Sequence, residues 1–463
     1  MKWSKWTFGL LTLDYLSAIF SWMLFFYFRQ EYVENRAFQV DNNLLIGTSI
    51  IPLSWLLLYS LQGLYFEVHR LFRSKLFYLT VISTLLGSLF IFLFLILDDH
   101  VSSYKNYYQS LILLVGIHFL ITFIPRLLLV SVIINTLRQK DSGFKTLIIG
   151  GNEKSLDLVK EIKGHPRSVN SFVGYINVNG KDKLLDGEMS YLGNERNLKE
   201  VLEELDIEEI IVALDASDHD RIKKIILQID NGKRRIKLLP DTYEILSGNI
   251  KMTNLFGVAL IELKRDSMPY WQQAFKRLFD IVFSIAAIII LIPFYIFSAI
   301  AVKISSPGNI LFLQDRIGQD GKVFKIIKFR TMYINAENNG PQLSSENDPR
   351  ITPIGRFMRK TRLDEFPQFV NVLFGDMSIV GPRPERQFYI DQIAVKEPQY
   401  AQLTRVRPGI TSWGQVKYGY AENVEQMLQR MKYDLIYLKN RSLALDFKIM
   451  LHTVLIVLKA KGK

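Results

Sequence analysis

Two adjacent carboxylates, Asp364 and Glu365, lie in a stretch of the chain that is rich in arginine and lysine. The stretch, residues 360–386, reads KTRLDEFPQFVNVLFGDMSIVGPRPER. Five basic residues flank the pair, three before it and two after it: Arg359, Lys360, Arg362, Arg383 and Arg386. Nearby cations favour the ionised form of a carboxylate, and arginine binds phosphate oxygens through paired hydrogen bonds. An isolated Asp-Glu pair is more typical of a solvated helix face, but this cluster predicts a site for phosphates and a metal ion.

Further charged motifs precede and follow this pair. They are KFRTM at 328–332, DPRIT at 348–352, IGR at 354–356, VRPGIT at 406–411, YD at 433–434 and LD at 445–446. In this order and spacing the motifs resemble the catalytic domain of the bacterial sugar transferases, the monotopic polyprenyl-phosphate phosphoglycosyl transferases. The resemblance covers residues 270–463 of the chain.

The resemblance implies a reaction and assigns roles to the two carboxylates. We expect transfer of a hexose-1-phosphate from a UDP-sugar to undecaprenyl phosphate, with release of UMP, as the first step of exopolysaccharide, capsule or O-antigen synthesis. UDP-glucose is the favoured donor, before UDP-galactose or a UDP-N-acetylhexosamine. The family's roles make Asp364 the nucleophile, which forms an aspartyl-phosphosugar intermediate, and Glu365 a ligand of Mg²⁺.

Six more residues match family motifs and are predicted to bind substrate or its phosphates. They are Lys328, Arg330, Arg359, Arg383, Arg407 and Asp434. For each cation the alternative is an exposed salt bridge, and for Arg330, Arg407 and Asp434 neither interpretation is favoured. The segment TSWGQ at 411–415 departs from the family's usual Gly-x-Ala-Gln pattern, which leaves the sugar open.

Two other functions are compatible with these residues. In the first, the same substrates react directly in a ternary complex, and Asp364 only binds the metal. In the second, the chain is a catalytically inactive, nucleotide-sensing membrane scaffold. The intact Asp-Glu pair and its basic motifs argue against the scaffold.

The composition of the 463-residue chain indicates a membrane protein with a basic C-terminal part. Hydrophobic residues make up 49% and occur in blocks, and the net charge is +12. Residues 1–263 carry 28 basic and 28 acidic side chains, whereas residues 264–463 carry 29 and 17. The chain has no cysteine, which excludes disulfides and thiolate chemistry. No nucleic-acid motif is present, so the excess charge favours lipid headgroups and diphosphates as partners.

Four apolar blocks, residues 7–28, 44–61, 76–97 and 108–130, are long enough to cross a bilayer as helices. Basic flanks alternate with neutral or acidic ones along these blocks, which predicts cytoplasmic ends for the bundle. We therefore expect a multi-pass protein of the bacterial inner membrane with its catalytic domain on the cytoplasmic face. Asp14 and His118 lie within these blocks, and helix packing is their favoured role.

Residues 144–263 alternate between strand-like and helix-like segments, which predicts a parallel, doubly wound, Rossmann-like α/β unit. The turn after the first strand, Gly150-Gly151, does not complete a G-x-G-x-x-G fingerprint. We therefore expect a unit without a catalytic role.

A fifth apolar segment, residues 281–302, has basic residues at both ends and contains Pro293. Hydropathy alone predicts a fifth span, and the residues alone do not decide between a span and a re-entrant helix that bends at Pro293. The resemblance implies re-entry, over about residues 276–303. A polar stretch, residues 335–348, is expected to be a mobile loop beside the site, and 443–459 is expected to form an interfacial or a core helix.

These expectations divide the chain into three domains. Residues 1–140 form a four-helix transmembrane bundle, 141–264 the Rossmann-like α/β domain, and 265–463 an α/β monotopic catalytic domain with the re-entrant helix. The expected partners are a UDP-sugar, undecaprenyl phosphate, membrane lipids and a second copy of the chain.

Overall fold

The computed structural model describes residues 5–96, 104–139, 143–165, 168–178, 184–214, 219–229, 234–240, 260–263, 266–336, 340, 342–343, 348–419 and 421–458. The chain separates into two compact units, Met1–Leu263 and Lys264–Lys463. The boundary lies within a residue of the predicted start of the catalytic domain. The predicted division of the first unit at residue 140 stays a prediction.

The first unit begins with four helices that are long and apolar enough to cross a membrane. Their bounds are Lys5–Phe28 (α1), Asn42–Leu61 (α2), Arg73–Ile91 (α3) and Tyr104–Arg138 (α4). Asp41 caps α2 by accepting a hydrogen bond from the backbone N–H of Leu44 at 2.9 Å, which explains why this helix begins there. The four predicted apolar helices are confirmed.

Polar side chains connect these helices from within. Arg126 of α4 donates from Nε to Asp14 of α1 at 2.7 Å and from Nη1 to Thr80 of α3 at 3.1 Å. His118 hydrogen-bonds to Ser21 at 2.8 Å. Since Asp14 and Arg126 are both fully buried, each needs the other as a partner. Their contacts are those of helix packing.

A six-stranded sheet with flanking helices completes the first unit. Its elements are β1 Phe144–Ile149, α5 Glu153–Gly164, β2 Asn170–Asn177, β3 Tyr191–Asn194, α6 Leu198–Glu204, β4 Glu209–Val212, α7 His219–Ile229, β5 Arg235–Leu238 and β6 Ile261–Glu262. The strand order is β3-β2-β1-β4-β5-β6, and neighbours among β1–β5 pair in parallel. β6 pairs antiparallel with β5. The predicted α/β unit is present, but its sheet is mixed, because an antiparallel strand closes one edge.

Packing accounts for the glycine turn after β1. A Cβ on Gly150 would lie 2.5 Å from the carbonyl oxygen of Ala213, and the φ of Gly150 is +138°. The Ser155 hydroxyl donates to that same carbonyl oxygen at 2.9 Å. Glycine is therefore required at position 150 by a close approach of two backbone segments.

The second unit consists of two long apolar helices followed by short strands and helices. They are α8 Tyr270–Ile290, α9 Ile292–Ser305, β7 Leu311–Ile317, β8 Val323–Phe329, α10 Pro353–Thr361, α11 Gln368–Phe374, β9 Ser378–Val380, α12 Gln387–Lys396, β10 Gly409–Thr411, α13 Trp413–Lys417, α14 Val424–Lys439 and α15 Leu443–Leu458. β7 and β8 form an antiparallel hairpin, and β9 and β10 pair in parallel. Val372, Met377 and Ile449 lie in one core of this unit.

Helices α8 and α9 form a bent pair, with an angle of 62° between them. The break is at Leu291, and Pro293 lies in the first turn of α9. The sequence predicts a kink at Pro293, and the structure places the break two residues earlier. Proline is favourable in a first helical turn, where its missing N–H would have no partner anyway, so the first helix ends before it.

Both arms of the bent pair contact the rest of the same unit. On α8, Lys276 Nζ donates to the carbonyl oxygen of Val380 at 2.8 Å and to Asp446 Oδ2 at 2.6 Å. On α9, the Tyr295 hydroxyl donates to the carbonyl oxygen of Phe366 at 2.7 Å. Both helices of the bent pair therefore pack against the rest of the second unit.

Two segments predicted from the sequence lie partly outside the described residues. Most of the predicted loop at 335–348, and residue 459 at the end of the predicted C-terminal helix, lie outside the described residues. The helix predicted at 443–459 corresponds to α15, which buries Ile449 completely and exposes Leu451, Val454 and Leu455 by half or more. This helix thus contributes to the core and also presents an apolar face.

Candidate active site

The carboxylate pair lies in a tight turn between two helices. α10 ends at Thr361, Arg362 follows with φ +61°, and Leu363–Glu365 form one 3₁₀ turn before α11. A positive φ is uncommon for a residue with a side chain, and here it reverses the chain so that Asp364 and Glu365 point inward. Asp364 is 7% and Glu365 8% exposed. The turn thus buries two acids next to each other.

Three cations hold Glu365. Lys328 Nζ lies 3.2 Å from Oε1, Arg362 Nη1 lies 3.1 Å from Oε2, and Arg383 Nη1 lies 3.6 Å from Oε1. Burial opposes the ionisation of Glu365, but these three charges outweigh it and hold the pKa of Glu365 well below its usual value. Glu365 is therefore ionised at neutral pH and fixed in orientation.

Asp364 has a different environment. Its Oδ1 atom is buried, and no residue within the described ranges donates a hydrogen bond to it. Burial, and then the charge of Glu365, raise the pKa of Asp364 above its ordinary value, against the opposing charges of Lys328 and Arg359. A desolvated carboxylate oxygen without a donor is available to attack an electrophile.

A cavity of about 270 Å³ opens at this pair. The predicted residues Lys328, Arg359 and Arg383 line it together with both carboxylates. Further cations that line it are Arg316, Arg356, Arg362, Arg386 and Arg430. Such a concentration of guanidinium groups around two acids suits a diphosphate ligand.

Arg330 also lines this cavity, but its terminal nitrogens bind the backbone. Nη1 donates to the carbonyl oxygen of Pro307 and Nη2 to that of Ser306, each at 2.7 Å. These carbonyls follow the end of α9. Arg330 thus connects strand β8 with the returning arm of the bent pair.

Arg407 and Asp434 do not line the catalytic cavity. Arg407 Nε donates to the carbonyl oxygen of Gly375 at 3.0 Å. Asp434 Oδ1 accepts the backbone N–H of Gly414 at 2.8 Å. Burial raises the pKa of Asp434 to about 6, although hydrogen bonds from the backbones of Gly414 and Arg383 act in the opposite direction. Asp434 therefore supports the backbone of Arg383 instead of facing the cavity.

Sequence reasoning missed an ion-pair cluster beside the Pro-Arg-Pro turn. Arg430 Nη2 contacts Glu385 Oε1, and Arg316 Nη1 donates to the carbonyl oxygen of Pro384 at 3.0 Å. Glu385 stands next to a predicted motif, but Arg316 and Arg430 are distant in sequence and carry no local signal. Thr331, within the KFRTM motif, accepts from Arg359 Nε at 2.9 Å and orients that arginine.

The pair is compatible with Mg²⁺. Among the described residues no three acidic or histidine side chains come together as a metal cage. Mg²⁺ commonly uses only one or two carboxylates and completes its shell with water and substrate phosphates. Asp364 Oδ1 is buried without a donor, and each Glu365 oxygen keeps a lone pair beside its cation. The donor set therefore suits a metal that arrives with a diphosphate.

Two family profiles match the chain. The profile described as bacterial sugar transferase matches residues 271–460, and one described as CoA-binding domain matches residues 58–240. The first lies wholly within the second unit and includes every residue of the site.

Curated relatives agree with the first match. A UDP-N-acetylgalactosamine-undecaprenyl-phosphate N-acetylgalactosaminephosphotransferase of Aeromonas hydrophila is 40% identical over 47% of this chain and 51% of its own length. A UDP-glucose:undecaprenyl-phosphate glucose-1-phosphate transferase of Escherichia coli is 36% identical over 57% of each chain. The chain thus spans about half the length of these two relatives. An uncharacterized sugar transferase of Haemophilus influenzae is 32% identical over 68% of this chain and 69% of its own.

Proposed function

Since the chain belongs to the bacterial sugar transferase family, we propose that it transfers a hexose-1-phosphate from a UDP-sugar to undecaprenyl phosphate. The observation that carries this proposal is the buried Asp364 oxygen, which has no donor within the described part of the chain and lies next to a Glu365 fixed by three cations. The printed names of the relatives from Aeromonas hydrophila and Escherichia coli supply the substrate classes.

The first step is attack by Asp364 on the phosphorus that bears the sugar. A bond forms between a carboxylate oxygen and this phosphorus, and the bond from phosphorus to the bridging oxygen of the diphosphate breaks. UMP leaves with the electron pair of that bond. The product is an acyl-phosphate between Asp364 and the sugar phosphate.

The second step returns the enzyme to its starting state. A phosphate oxygen of undecaprenyl phosphate attacks the same phosphorus, and the bond to Asp364 breaks. The carboxylate leaves with its electron pair, and the lipid carries a diphosphate joined to the sugar. The first step needs the carboxylate ionised and the second releases it as an anion, and the neighbouring cations Lys328 and Arg359 favour that charged form in both.

The cations of the cavity bind the diphosphate in this account. Lys328 and Arg383 neutralise charge on the transferring group, and Arg359 is held toward it by Thr331. Mg²⁺, bound by Glu365 with Asp364 beside it, would neutralise charge on the departing phosphate. Lys328 and Arg362 keep Glu365 in place for that role.

The bent pair supports re-entry at the membrane. A helix pair that spanned the bilayer would have its two ends on opposite sides, whereas both arms here contact the body of one unit. We propose that α8 and α9 enter the inner leaflet and return, with the catalytic unit on the cytoplasmic face of the inner membrane. Nucleotide sugar from the cytoplasm and lipid phosphate from the bilayer would then meet at one cavity.

The sugar and the oligomeric state also belong to this proposal. We favour glucose, which the Escherichia coli relative transfers by name, and the Aeromonas hydrophila relative makes N-acetylgalactosamine the main competitor. We further propose that the chain acts as a homodimer at the start of surface-polysaccharide synthesis.

Turnover with defined substrates tests the function. The purified full-length chain would be incubated with undecaprenyl phosphate, Mg²⁺ and each of UDP-glucose, UDP-galactose, UDP-N-acetylglucosamine and UDP-N-acetylgalactosamine. The proposal predicts UMP and a lipid-linked sugar with at least one donor, and loss of both when EDTA is added. No turnover with any of these donors would favour the inactive scaffold.

A further inference from the structure

A second cavity, of about 80 Å³, lies in the catalytic unit and shares no lining residue with the catalytic cavity. Five of its side chains are cationic: Lys276, Arg277, Arg405, Arg407 and Arg441. Two are acidic, Asp266 and Asp280. A cavity needs a volume of roughly 10–15 Å³ to hold one water molecule. This cavity is several times larger, so it has room for a group of several heavy atoms. We call it the basic cavity.

Ion pairs within the protein neutralise only part of the positive charge of the basic cavity. Lys276 pairs with Asp446 at 2.6 Å, and Arg441 Nη1 pairs with Asp266 at 2.7 Å. Arg277 Nη1 donates to the carbonyl oxygen of Val372 at 2.7 Å, and no ion pair compensates its charge among the described residues. Positive charge therefore remains in excess within the cavity.

Two arginines present unused donors there. The Arg441 side chain is 8% exposed, and its Nε is buried without an acceptor among the described residues. Arg407 has Gly375 as the acceptor of its Nε, and its terminal nitrogens have no acceptor in the described parts of the chain. Burial lowers the pKa of Arg407, and the positive charges of Arg277 and Arg441 lower it further. The charge of Asp280 acts in the opposite direction. A buried donor without an acceptor, on Arg441, and uncompensated charge at the same place indicate a missing anion.

The helix that lines the basic cavity, α8, also carries exposed aromatic side chains that are suited to the membrane. Tyr270, Trp271 and Phe275 are 43%, 47% and 60% exposed in the first turns of α8, whereas Lys276 and Arg277 line the cavity. Aromatic side chains are typical of the headgroup region of a bilayer, and basic side chains there attract anionic lipids. The cavity therefore lies where phospholipid headgroups would be.

We propose that the basic cavity is a second phosphate-binding site, which takes the headgroup phosphate of an anionic phospholipid. Its guanidinium groups match phosphate oxygens, and Arg407 and Arg441 supply donors that the protein itself leaves unused. Its volume admits a phosphate but not a nucleotide. The acyl chains of the lipid would extend along the exposed aromatic face of α8.

Lipid binding by the full-length chain in detergent tests this site. Dihexanoyl phosphatidylglycerol would be titrated by calorimetry into wild type, Arg407→Gln and Lys322→Gln. Lys322 is an exposed lysine between β7 and β8, so its change removes the same charge outside the cavity. We expect Arg407→Gln to weaken binding by about tenfold or more and Lys322→Gln to leave it unchanged. Equal affinities of wild type and Arg407→Gln would overturn the proposal.

A second variant covers the case in which Arg407→Gln does not fold. Gln273 lines the cavity in the first turns of α8, and Gln273→Glu adds a carboxylate there without removing any cation. An acid near a helix N-terminus is tolerated, so this variant should fold. We expect it to weaken phosphatidylglycerol binding, and unchanged binding would contradict the site.

Competing ligands identify the source of the phosphate. We expect inorganic phosphate to bind more weakly than the phospholipid, because it makes no contact with the aromatic face. Equally tight binding would make free phosphate the ligand and overturn the lipid assignment. We expect excess UDP-glucose to leave phosphatidylglycerol bound, since the two cavities share no residue. Displacement would place the lipid in the catalytic cavity and also overturn the inference.

Discussion

Asp364 and Glu365 are neighbours in sequence, but their surroundings separate their chemistry. Three cations hold the charge of Glu365 and lower its pKa. No donor among the described residues reaches Oδ1 of Asp364, and burial raises the pKa of this carboxyl. Two acids whose environments shift their pKa values apart are suited to different roles, one as a fixed ligand and the other as a nucleophile.

Lys328 provides a test of the cations around this pair. Replacement by Gln removes its ion pair with Glu365 and one positive charge from the cavity. We expect the rate of sugar-phosphate transfer to fall on the order of 10²-fold, as for loss of one electrostatic stabiliser of a transition state. Lys325→Gln, on the same strand, removes only an exposed pair with Asp315 and should change the rate less than about twofold. Similar rates for both variants would contradict the phosphate-binding role.

Asp434 predicts a pH dependence of stability. Its pKa of about 6 in the folded chain exceeds the unfolded value of about 3.9, so the folded state binds this proton more tightly. The cost of its ionisation is present in full above pH 6 and decreases as the pH falls from about 6 toward about 3.9. Between pH 7.5 and 5, wild type should gain roughly 1 kcal/mol of stability relative to Asp434→Asn.

Thermal-unfolding midpoints of the two proteins in detergent measure this difference. Asn keeps an acceptor for the N–H of Gly414 but does not titrate, so it is the matched reference. A gap between the two midpoints that stays constant from pH 7.5 to 5 would contradict the raised pKa of Asp434.

Six of the eight predicted site residues line the catalytic cavity, but the motifs did not predict its framework. Lys328, Arg359 and Arg383 lie where their motifs suggested. Arg407 is in the basic cavity instead, because a motif reports a position in the chain and not the direction of the side chain. The pair between Glu385 and Arg430 was not predictable, since 45 residues separate its members and only the fold brings them together.

Among the elements, the bent helix pair determines the proposed topology. Apolar length alone predicted α8 and α9 as one segment, and the proline indicated a bend. The position of the bend, at Leu291, depends on the local backbone. The packing of α9 against the rest of the unit depends on contacts such as the hydrogen bond from Tyr295 to Phe366. Hydropathy predicts neither the position of the bend nor this packing.

Cysteine labelling tests this topology. The chain has no cysteine, so Lys199→Cys before the pair and Lys322→Cys after it would each be a unique thiol. Re-entry predicts that a membrane-impermeant maleimide labels neither in intact cells and both after lysis. Arg36→Cys, in the loop after α1, should be labelled in intact cells and serves as the control. Labelling of Lys322→Cys in intact cells would mean that the pair spans the membrane.

The elements of the first unit were predictable to different degrees. Apolar length located the four apolar helices, because a bilayer requires a minimum apolar length. Four of the five parallel strands, β1, β2, β4 and β5, followed from their alternation with helices, and β3 was not predicted. The antiparallel pairing of β6 with β5 did not, since its two residues carry no pattern of their own.

At the scale of the whole molecule, charge and chemistry lie in the same part of the chain. The net charge of +12 belongs entirely to residues 264–463, which are also the second compact unit. That unit contains both cavities, the bent pair and the segment matched by the sugar transferase profile. The described residues that line the two cavities belong to this second unit.

This separation predicts that residues 264–463 suffice for catalysis. Expressed alone in membranes, they should transfer sugar phosphate within about tenfold of the rate of the full chain, a difference of no more than ~1.4 kcal/mol in the barrier. The measurement is UMP release with undecaprenyl phosphate, normalised to the amount of each protein. Loss of activity in a folded second unit would show that the first unit takes part in the reaction.

The central claim, a covalent intermediate on Asp364, is tested most directly by omitting the lipid acceptor. Full-length protein with Mg²⁺ would be mixed with sugar-labelled UDP-glucose, and UMP and protein-bound label would be measured. The account predicts about one UMP and one label per chain for wild type and for Asp391→Asn, an exposed control, and neither for Asp364→Asn. Release of UMP only after addition of undecaprenyl phosphate, with no label on the protein, would contradict it and indicate direct transfer.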